Sequence, residues 1–349
     1  MNLEIDGRRI GCGHPTYVVA EMSGNHNQSF DRAVEILEAA KEAGADAVKL
    51  QTYTADTITI NSDQEYFQIK GGTLWDGQTL YDLYGQAHTP WEWQPKLKEV
   101  ADGLDLALFS SPFDVTAVDF LEKMKVPVYK VASPELMDFQ LLERIALTKK
   151  PILMSTGMAT LAEIDEAMSC IRDSNNKAQI ALLKCTADYP ALPEEINLLT
   201  IPHMNETFGV PVGISDHTLG TEVANASVAL GACVVEKHIA LSRGEPGPDV
   251  AFSMEPGEFK KLVREIRNVE KACGSIYYGP TQRENINKKY RRSLFVAEDI
   301  QRGESFNTTN VRSVRPGQGL HTKHLVEILG CTARRDLQKG TPLDWSMVS

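Results

Sequence analysis

His217 and His238 each stand at the end of a short apolar run, Val210 to Ile214 and Cys233 to Val235, with a helix-like segment between them. That is the pattern of two consecutive strands of a βα fold, each presenting an imidazole at its carboxyl end, where such folds place their chemistry. Two imidazoles there suit a divalent metal with positions left open for substrate. They suit hydrogen-bonded structural roles too, so the other strand ends have to decide. Side chains alternate along a strand, so residues two apart share a face. Lys49 shares its face with Gln51, Lys130 with Ala132, and Lys184 with Leu182 and Thr186. Gly213, Ser215 and His217 form another set, and Glu236 goes with His238, which sends Lys237 the other way. Glu21 ends the first apolar run and Ser155 the fifth. Lysines, a glutamate and histidines gathered at one mouth each cost desolvation unless paired or solvated, so the pattern points to chemistry rather than packing.

Such a mouth suits a small anionic, phosphorylated substrate beside an electrophilic aldehyde. Lysines hold phosphate or carboxylate, Ser133, Ser155 and Ser215 supply hydrogen bonds, and a metal polarises a carbonyl oxygen.

Short β-branched runs alternate with amphipathic segments of helical period, the sequence form of repeated βα units. The predicted strands are Tyr17–Glu21, Ala47–Gln51, Leu106–Ser110, Val126–Ala132, Ile152–Ser155, Gln179–Cys185, Val210–Ile214 and Cys233–His238. Helices are predicted near 30–43, 90–102, 115–123, 139–148, 161–172, 193–205, 219–230 and 256–273. Eight units in about 270 residues fit a closed (β/α)8 TIM barrel better than an open doubly wound sheet. No Gly-x-Gly-x-x-Gly follows the first strand, which weakens a dinucleotide-binding reading. The stretch from Thr52 to Thr89 is too long for an ordinary βα loop and is expected to overhang the site.

The chain has 349 residues, 42% of them hydrophobic, enough for one large domain and a small one. No apolar run is long enough to span a bilayer, and MNLEIDGRRIGCGHP lacks the order of a signal peptide, so a cytoplasmic protein is expected. The six cysteines are widely spaced, which suggests neither a disulfide framework nor a zinc knuckle; most are expected to be small buried residues. A net charge of −11 argues against nucleic-acid binding while leaving room for a local cationic pocket.

Motifs along almost the whole chain resemble the sialic acid synthase family of phosphoenolpyruvate-dependent nonulosonic acid synthases. They include AEMSGNHN (20–27), AGADAVKLQTYTADT (43–57), FSSPFD (109–114), YKVASPE (129–135), STGMAT (155–160), LLKCTADYP (182–190), GISDHTLG (213–220) and EKHI (236–239). Within the family, KGGTLWDG (70–77), SVRPGQGLH (313–321) and Ala187 in LLKCTADYP are similar to the branch that makes pseudaminic acid. The legionaminic and N-acetylneuraminic branches share the rest.

The resemblance implies condensation of phosphoenolpyruvate with a diacetamido trideoxy sugar. It also implies a divalent metal at His217 and His238, manganese foremost with magnesium or cobalt as alternatives. Lys49, Lys130, Ser155 and Ser215 are expected to hold phosphoenolpyruvate, with Ser133 and Lys184 beside them. Glu21 is the leading acid/base candidate and Glu135 the second, although both also suit salt bridges to Lys49 and Lys130. Gln51, Tyr189 and Asp249 are expected to contact the sugar or its surroundings. A non-catalytic sugar-phosphate-binding barrel is the alternative, against which the intact set of ionisable strand ends speaks.

From about Arg291 the periodicity gives way to short strands and turns, after a polar linker over 275–290. A tail of 291–349 has little core of its own and is expected to dock on something larger. The resemblance implies an antifreeze-like (SAF) domain that crosses to the partner barrel of a domain-swapped homodimer, with Arg315 reaching the sugar.

Overall fold

A computed structural model of the chain describes residues 3–72 and 74–349. Thr73, within KGGTLWDG, and the first two residues of MNLEIDGRRIGCGHP lie outside the described residues. Two compact units are present, Met1–Gly274 and Ser275–Ser349.

The chain opens with a hairpin that the sequence reading did not anticipate, β1 (Leu3–Ile5) against antiparallel β2 (Arg8–Ile10). Its signal is Asp6-Gly7, both at positive φ, the two-residue turn whose twist matches paired strands. Eight parallel strands then close a barrel: β3 (Tyr17–Glu21), β4 (Ala47–Thr52), β5 (Ala107–Pro112), β6 (Tyr129–Val131), β7 (Ile152–Ser155), β8 (Ile180–Cys185), β9 (Val212–Asp216) and β10 (Val234–His238). Closure pairs β10 with β3, setting His238 beside Glu21.

The predicted helices form largely where periodicity placed them, and their ends carry the expected chemistry. The helix Phe30–Ala43 buries Ala33, Leu37 and Ala40, is capped by the Ser29 side chain and stops at Gly44 in the left-handed region. Leu161–Ser174 starts with a Thr160/Glu163 capping box. The exception is the segment expected as a helix from 193. A short 3-10 turn, Pro193–Glu195, comes first, Asn197 takes a positive φ, and the helix proper is Thr200–Phe208. Pro202 fits because the first turn needs no donor there. Strand β6 is shorter than the predicted 126–132, with Pro127, which cannot donate to a ladder, lying before it.

Between β4 and the helix Gln94–Gly103 the insertion has structure of its own, the helices Ala55–Ile58 and Leu80–Ala87 and a Gln68–Thr79 bridge. The second unit pairs β11 (Ser293–Val296) with antiparallel β12 (Val311–Val314). Contrary to the expectation of little core, Leu294, Val296, Phe306, Ile328, Leu337 and Leu343 pack into a buried cluster of their own. The stretch read as a polar linker contains a short exposed helix, Gln282–Asn287. All six cysteines are unpaired, but only Cys185 and Cys233 are buried, so the expectation that most are core residues fails. Among the described residues, no helix is long and apolar enough to cross a membrane.

Candidate active site

At the carboxyl end of the barrel lies a cavity of about 350 Å³, and its floor is charged. Strand register explains why. Glu21 pairs with Lys49 and His238, and Glu236 pairs with Ser215, so alternation brings these side chains to the interior. Lys49 Nζ lies 3.1 Å from a carboxylate oxygen of Glu21 and 3.1 Å from Glu236 Oε1. Lys130 Nζ is 3.8 Å from the same Glu236 oxygen and donates to the Val131 carbonyl at 3.2 Å. Ser215 Oγ donates to Glu236 at 2.9 Å. Gln51 Nε2 donates to Glu21 at 2.9 Å and to Ser23 Oγ at 3.1 Å, and Ser23 in turn donates to Asp249.

Burial and mutual charge drive these groups apart in acidity. Burial raises the Glu21 carboxyl in spite of Lys49, whereas Glu236, equally buried, is held low because Lys130 and Lys49 together overcome its desolvation. Burial also lowers Lys130 to about 8, since Glu236 only partly compensates it. Two carboxyls pushed in opposite directions beside one shared lysine are what a site uses to divide acid and base roles. Ser155 Oγ and Glu236 Oε2 are buried with no hydrogen-bond partner among the described residues, polar atoms facing a place a ligand would fill.

The imidazoles of His217 and His238 have centroids 5.5 Å apart. His217 Nδ1 donates to the Thr186 carbonyl at 2.9 Å, which leaves Nε2 unprotonated in the neutral ring. Tyr189 lies over that ring, centroids 4.3 Å apart and tilted by 31°. Burial, then the charge of His217, keeps His238 neutral, and its Nδ1 is buried without a hydrogen-bond partner among the described residues. For His217 burial is outweighed by Cys185 and by the Thr186 carbonyl, and the net shift is upward. An orphaned imidazole nitrogen beside an imidazole whose tautomer is set from behind fits a divalent cation. Among the described residues, no group of three or more His, Cys, Asp or Glu is arranged to hold a metal, so these two rings would be its protein ligands.

Of the residues singled out from sequence, Lys49, Gln51, Lys130, Ser133, Ser155, Tyr189, Ser215, His217, His238 and Asp249 all line this cavity. Others do not. Glu21 lies behind Lys49 and Gln51, 1% exposed, and reaches the cavity only through them. Glu135, on the turn after β6, is not on the lining, and burial raises its carboxyl to about 7. Lys184 is corrected outright. Cys185 pairs with Ser215 and Leu183 with Gly213, so these face inward, while Lys184 turns its ammonium to the Cys185 carbonyl at 2.8 Å. Arg315 belongs to the second unit, where it is exposed. Sequence reasoning passed over Glu236, which parity had already placed beside His238, and Cys185, whose signal was its register with Ser215.

The outer wall is of another kind. Ile69, Trp75, Leu80, Leu83 and Tyr84 of the insertion face the cavity together with Tyr53 and Phe113. Trp75 Nε1 donates to the Pro248 carbonyl at 3.0 Å, tying the insertion to the loop after β10. The expected overhang is therefore present, and it is apolar.

A closed parallel barrel whose strand ends converge on a charged, half-enclosed cavity has the build of a barrel enzyme's active site. Sequence comparison narrows the class: the NeuB family profile matches residues 36–278 and a SAF domain matches residues 291–349. The chain belongs to the NeuB family. It is 45% identical to the pseudaminic acid synthase of Helicobacter pylori, over 94% of this chain and 96% of that one. It is 34% identical to the N,N'-diacetyllegionaminic acid synthase of Legionella pneumophila, over 99% of each chain. Among solved structures, an N-acetylneuraminic acid synthetase from Leptospira borgpetersenii superposes with a TM-score of 0.72 at 28% identity, covering 82% of this chain and 95% of that one. The spore coat polysaccharide biosynthesis protein SpsE of Bacillus subtilis gives 0.68 at 31% identity, covering 100% and 99%.

Proposed function

We propose that this chain makes pseudaminic acid by condensing phosphoenolpyruvate with 2,4-diacetamido-2,4,6-trideoxy-L-altrose and water, releasing phosphate. The observation that carries this reading is the division of one cavity into a charged floor, in which Lys130 is only loosely partnered by Glu236, and an apolar wall. The floor suits a compact trianion. The wall suits a sugar that presents three methyl groups, one at its deoxy carbon and one on each acetamide. A fully hydroxylated hexose would leave hydroxyls unpaired there. The 45% identity to a pseudaminic acid synthase supports the same choice.

In this reading Lys130, Lys49 and the hydroxyls of Ser133, Ser155 and Ser215 grip the carboxylate and phosphate. That grip aims C3 of phosphoenolpyruvate at the sugar's aldehyde carbon. A carbon–carbon bond forms, the aldehyde oxygen takes up a proton as it becomes a hydroxyl, and water adds to the cation left at C2. The resulting tetrahedral carbon expels phosphate by C–O cleavage, leaving the ketone. Glu236, ionised and facing the cavity, steadies the cation, whereas Glu21, its carboxyl raised by burial, sits behind Lys49 and Gln51 and tunes them. A divalent cation held by His217 and His238, manganese foremost with magnesium or cobalt as alternatives, supplies neutralisation of the charge developing on the aldehyde oxygen. Tyr189, Gln51 and Asp249 are the proposed sugar contacts. Arg315 is proposed to complete the sugar site of the partner in a homodimer, and the reaction is proposed to be cytoplasmic.

Release of phosphate, followed with each of three sugars, tests the assignment. The altrose-configured diacetamido sugar should be turned over with the highest kcat/KM. Preference for its manno-configured relative would point to legionaminic acid, and preference for N-acetylmannosamine to N-acetylneuraminic acid. No release with any of them would leave a binding protein.

A further inference from the structure

His217 follows Asp216 at the end of β9, and His238 follows Lys237 at the end of β10, two strands that lie side by side. Asp216 and Lys237 are direct partners in the register of those strands. Alternation turns both away from the cavity, toward the helical layer, where Asp216 is 1% and Lys237 1% exposed. Their side chains meet there, Lys237 Nζ to Asp216 Oδ2 at 2.8 Å. Lys237 Nζ also donates to the Thr218 carbonyl at 2.6 Å. The other oxygen of Asp216 accepts from the Thr218 backbone N–H at 2.9 Å and from its hydroxyl at 2.7 Å. The residues on both sides of His217 are therefore fastened to the residue that precedes His238.

A buried ion pair is a poor device for stability alone, because desolvation offsets much of the attraction and apolar residues of similar volume usually do as well. What this pair does that apolar residues would not is lock two strand ends to each other one position before each imidazole. A cation held by only two protein ligands depends strongly on how those ligands are aimed, and groups behind ligands commonly control that aim.

We propose that Asp216 and Lys237 are positioning residues that set the spacing and orientation of His217 and His238 for a divalent cation, an inference that rests on the metal reading above. Neither side chain lines the cavity, so neither touches substrate.

The test is manganese affinity of the metal-stripped full chain, read by electron paramagnetic resonance, with phosphoenolpyruvate binding measured separately without metal. Changing both partners together, Asp216→Leu with Lys237→Met, avoids stranding one buried charge. The doubly substituted protein should bind manganese about 10- to 100-fold more weakly, with phosphoenolpyruvate affinity unchanged. Thr218→Val is the milder second variant, since it deletes one bond to Asp216 and keeps the side chain's shape. It should weaken manganese several-fold in a protein that melts like the parent. Unchanged manganese affinity in folded Thr218→Val, or in the folded double variant, would overturn the positioning role. Equal manganese affinity in the parent and in His217→Ala would overturn the metal reading itself, and the positioning role with it.

Discussion

Glu236 Oε1 lies 3.1 Å from the ammonium of Lys49 but 3.8 Å from that of Lys130, so the two lysines of the cavity floor are unequally partnered. Lys49 has a second carboxylate in Glu21 and holds its proton firmly, pushed up against burial by both glutamates. Among the described residues Lys130 has no second carboxylate in ion-pair contact, and burial brings it down to about 8. An incoming anion therefore gains most from Lys130.

Lys130→Met should weaken phosphoenolpyruvate binding by about 1.5–3 kcal/mol, the usual worth of a charge-assisted hydrogen bond, with the sugar KM nearly unchanged. The same reasoning gives a pH dependence. Binding requires the ammonium form, so affinity for phosphoenolpyruvate should fall as pH rises through about 8, and Lys130→Met should abolish that limb. A KM for phosphoenolpyruvate unaffected by the substitution would remove Lys130 from the anion site.

Glu135 offers a stability test independent of turnover. Its carboxyl rises from the usual 4.5 to about 7, first through burial, and its Oε2 has no partner among the described residues. Between those values the folded chain holds a proton the unfolded chain has lost, so stability drains away as pH rises from 4.5 to 7 and the deficit is complete above. Glu135→Gln removes the deficit. Its melting temperature should match the parent's near pH 4 and exceed it at pH 8; parallel melting profiles would show that Glu135 is not held protonated.

How far parity reaches into such a site shows in Lys184. Spacing along β8 correctly set Lys184 with Leu182, but nothing in one strand says which of its two faces is the inner one. The answer came from Cys185 lying beside Ser215 on the neighbouring strand. Lys49, Lys130, Ser155, His217 and His238 were legible because an ionisable or hydroxylated group at the end of an apolar run is costly without a purpose. Glu21 was legible as interior, but its depth behind Lys49 was not, since depth depends on the stagger of strands around the barrel. The course of the barrel was legible from period alone. The β1–β2 hairpin was not, because three-residue strands are too short to show alternation.

The apolar wall predicts selectivity. Leu83→Asn should lower the ratio of kcat/KM for the diacetamido trideoxy sugar over N-acetylmannosamine by about tenfold or more, the scale on which apolar pockets discriminate methyl groups. The KM for phosphoenolpyruvate should not move. An unchanged ratio would take the wall out of sugar recognition.

Arg315 gives the test of the homodimer. If it completes the partner's site, Arg315→Ala and His217→Ala homodimers should each be nearly inactive, and mixed dimers should recover activity, since one site in each then has an intact barrel and an intact arginine. Differently tagged chains verify the exchange. Confirmed mixed dimers without recovery would rule out the crossed arrangement.

Formation of one carbon–carbon bond with loss of one phosphate can be read from the products themselves. Phosphoenolpyruvate labelled with heavy oxygen at the bridging position is incubated with the altrose-configured diacetamido sugar, and both products are weighed by mass spectrometry. The acid should be a nine-carbon-backbone keto acid with the mass of pseudaminic acid, with the heavy oxygen carried off in the phosphate. Phosphate released without that acid, or a heavy oxygen retained in the acid, would contradict this condensation.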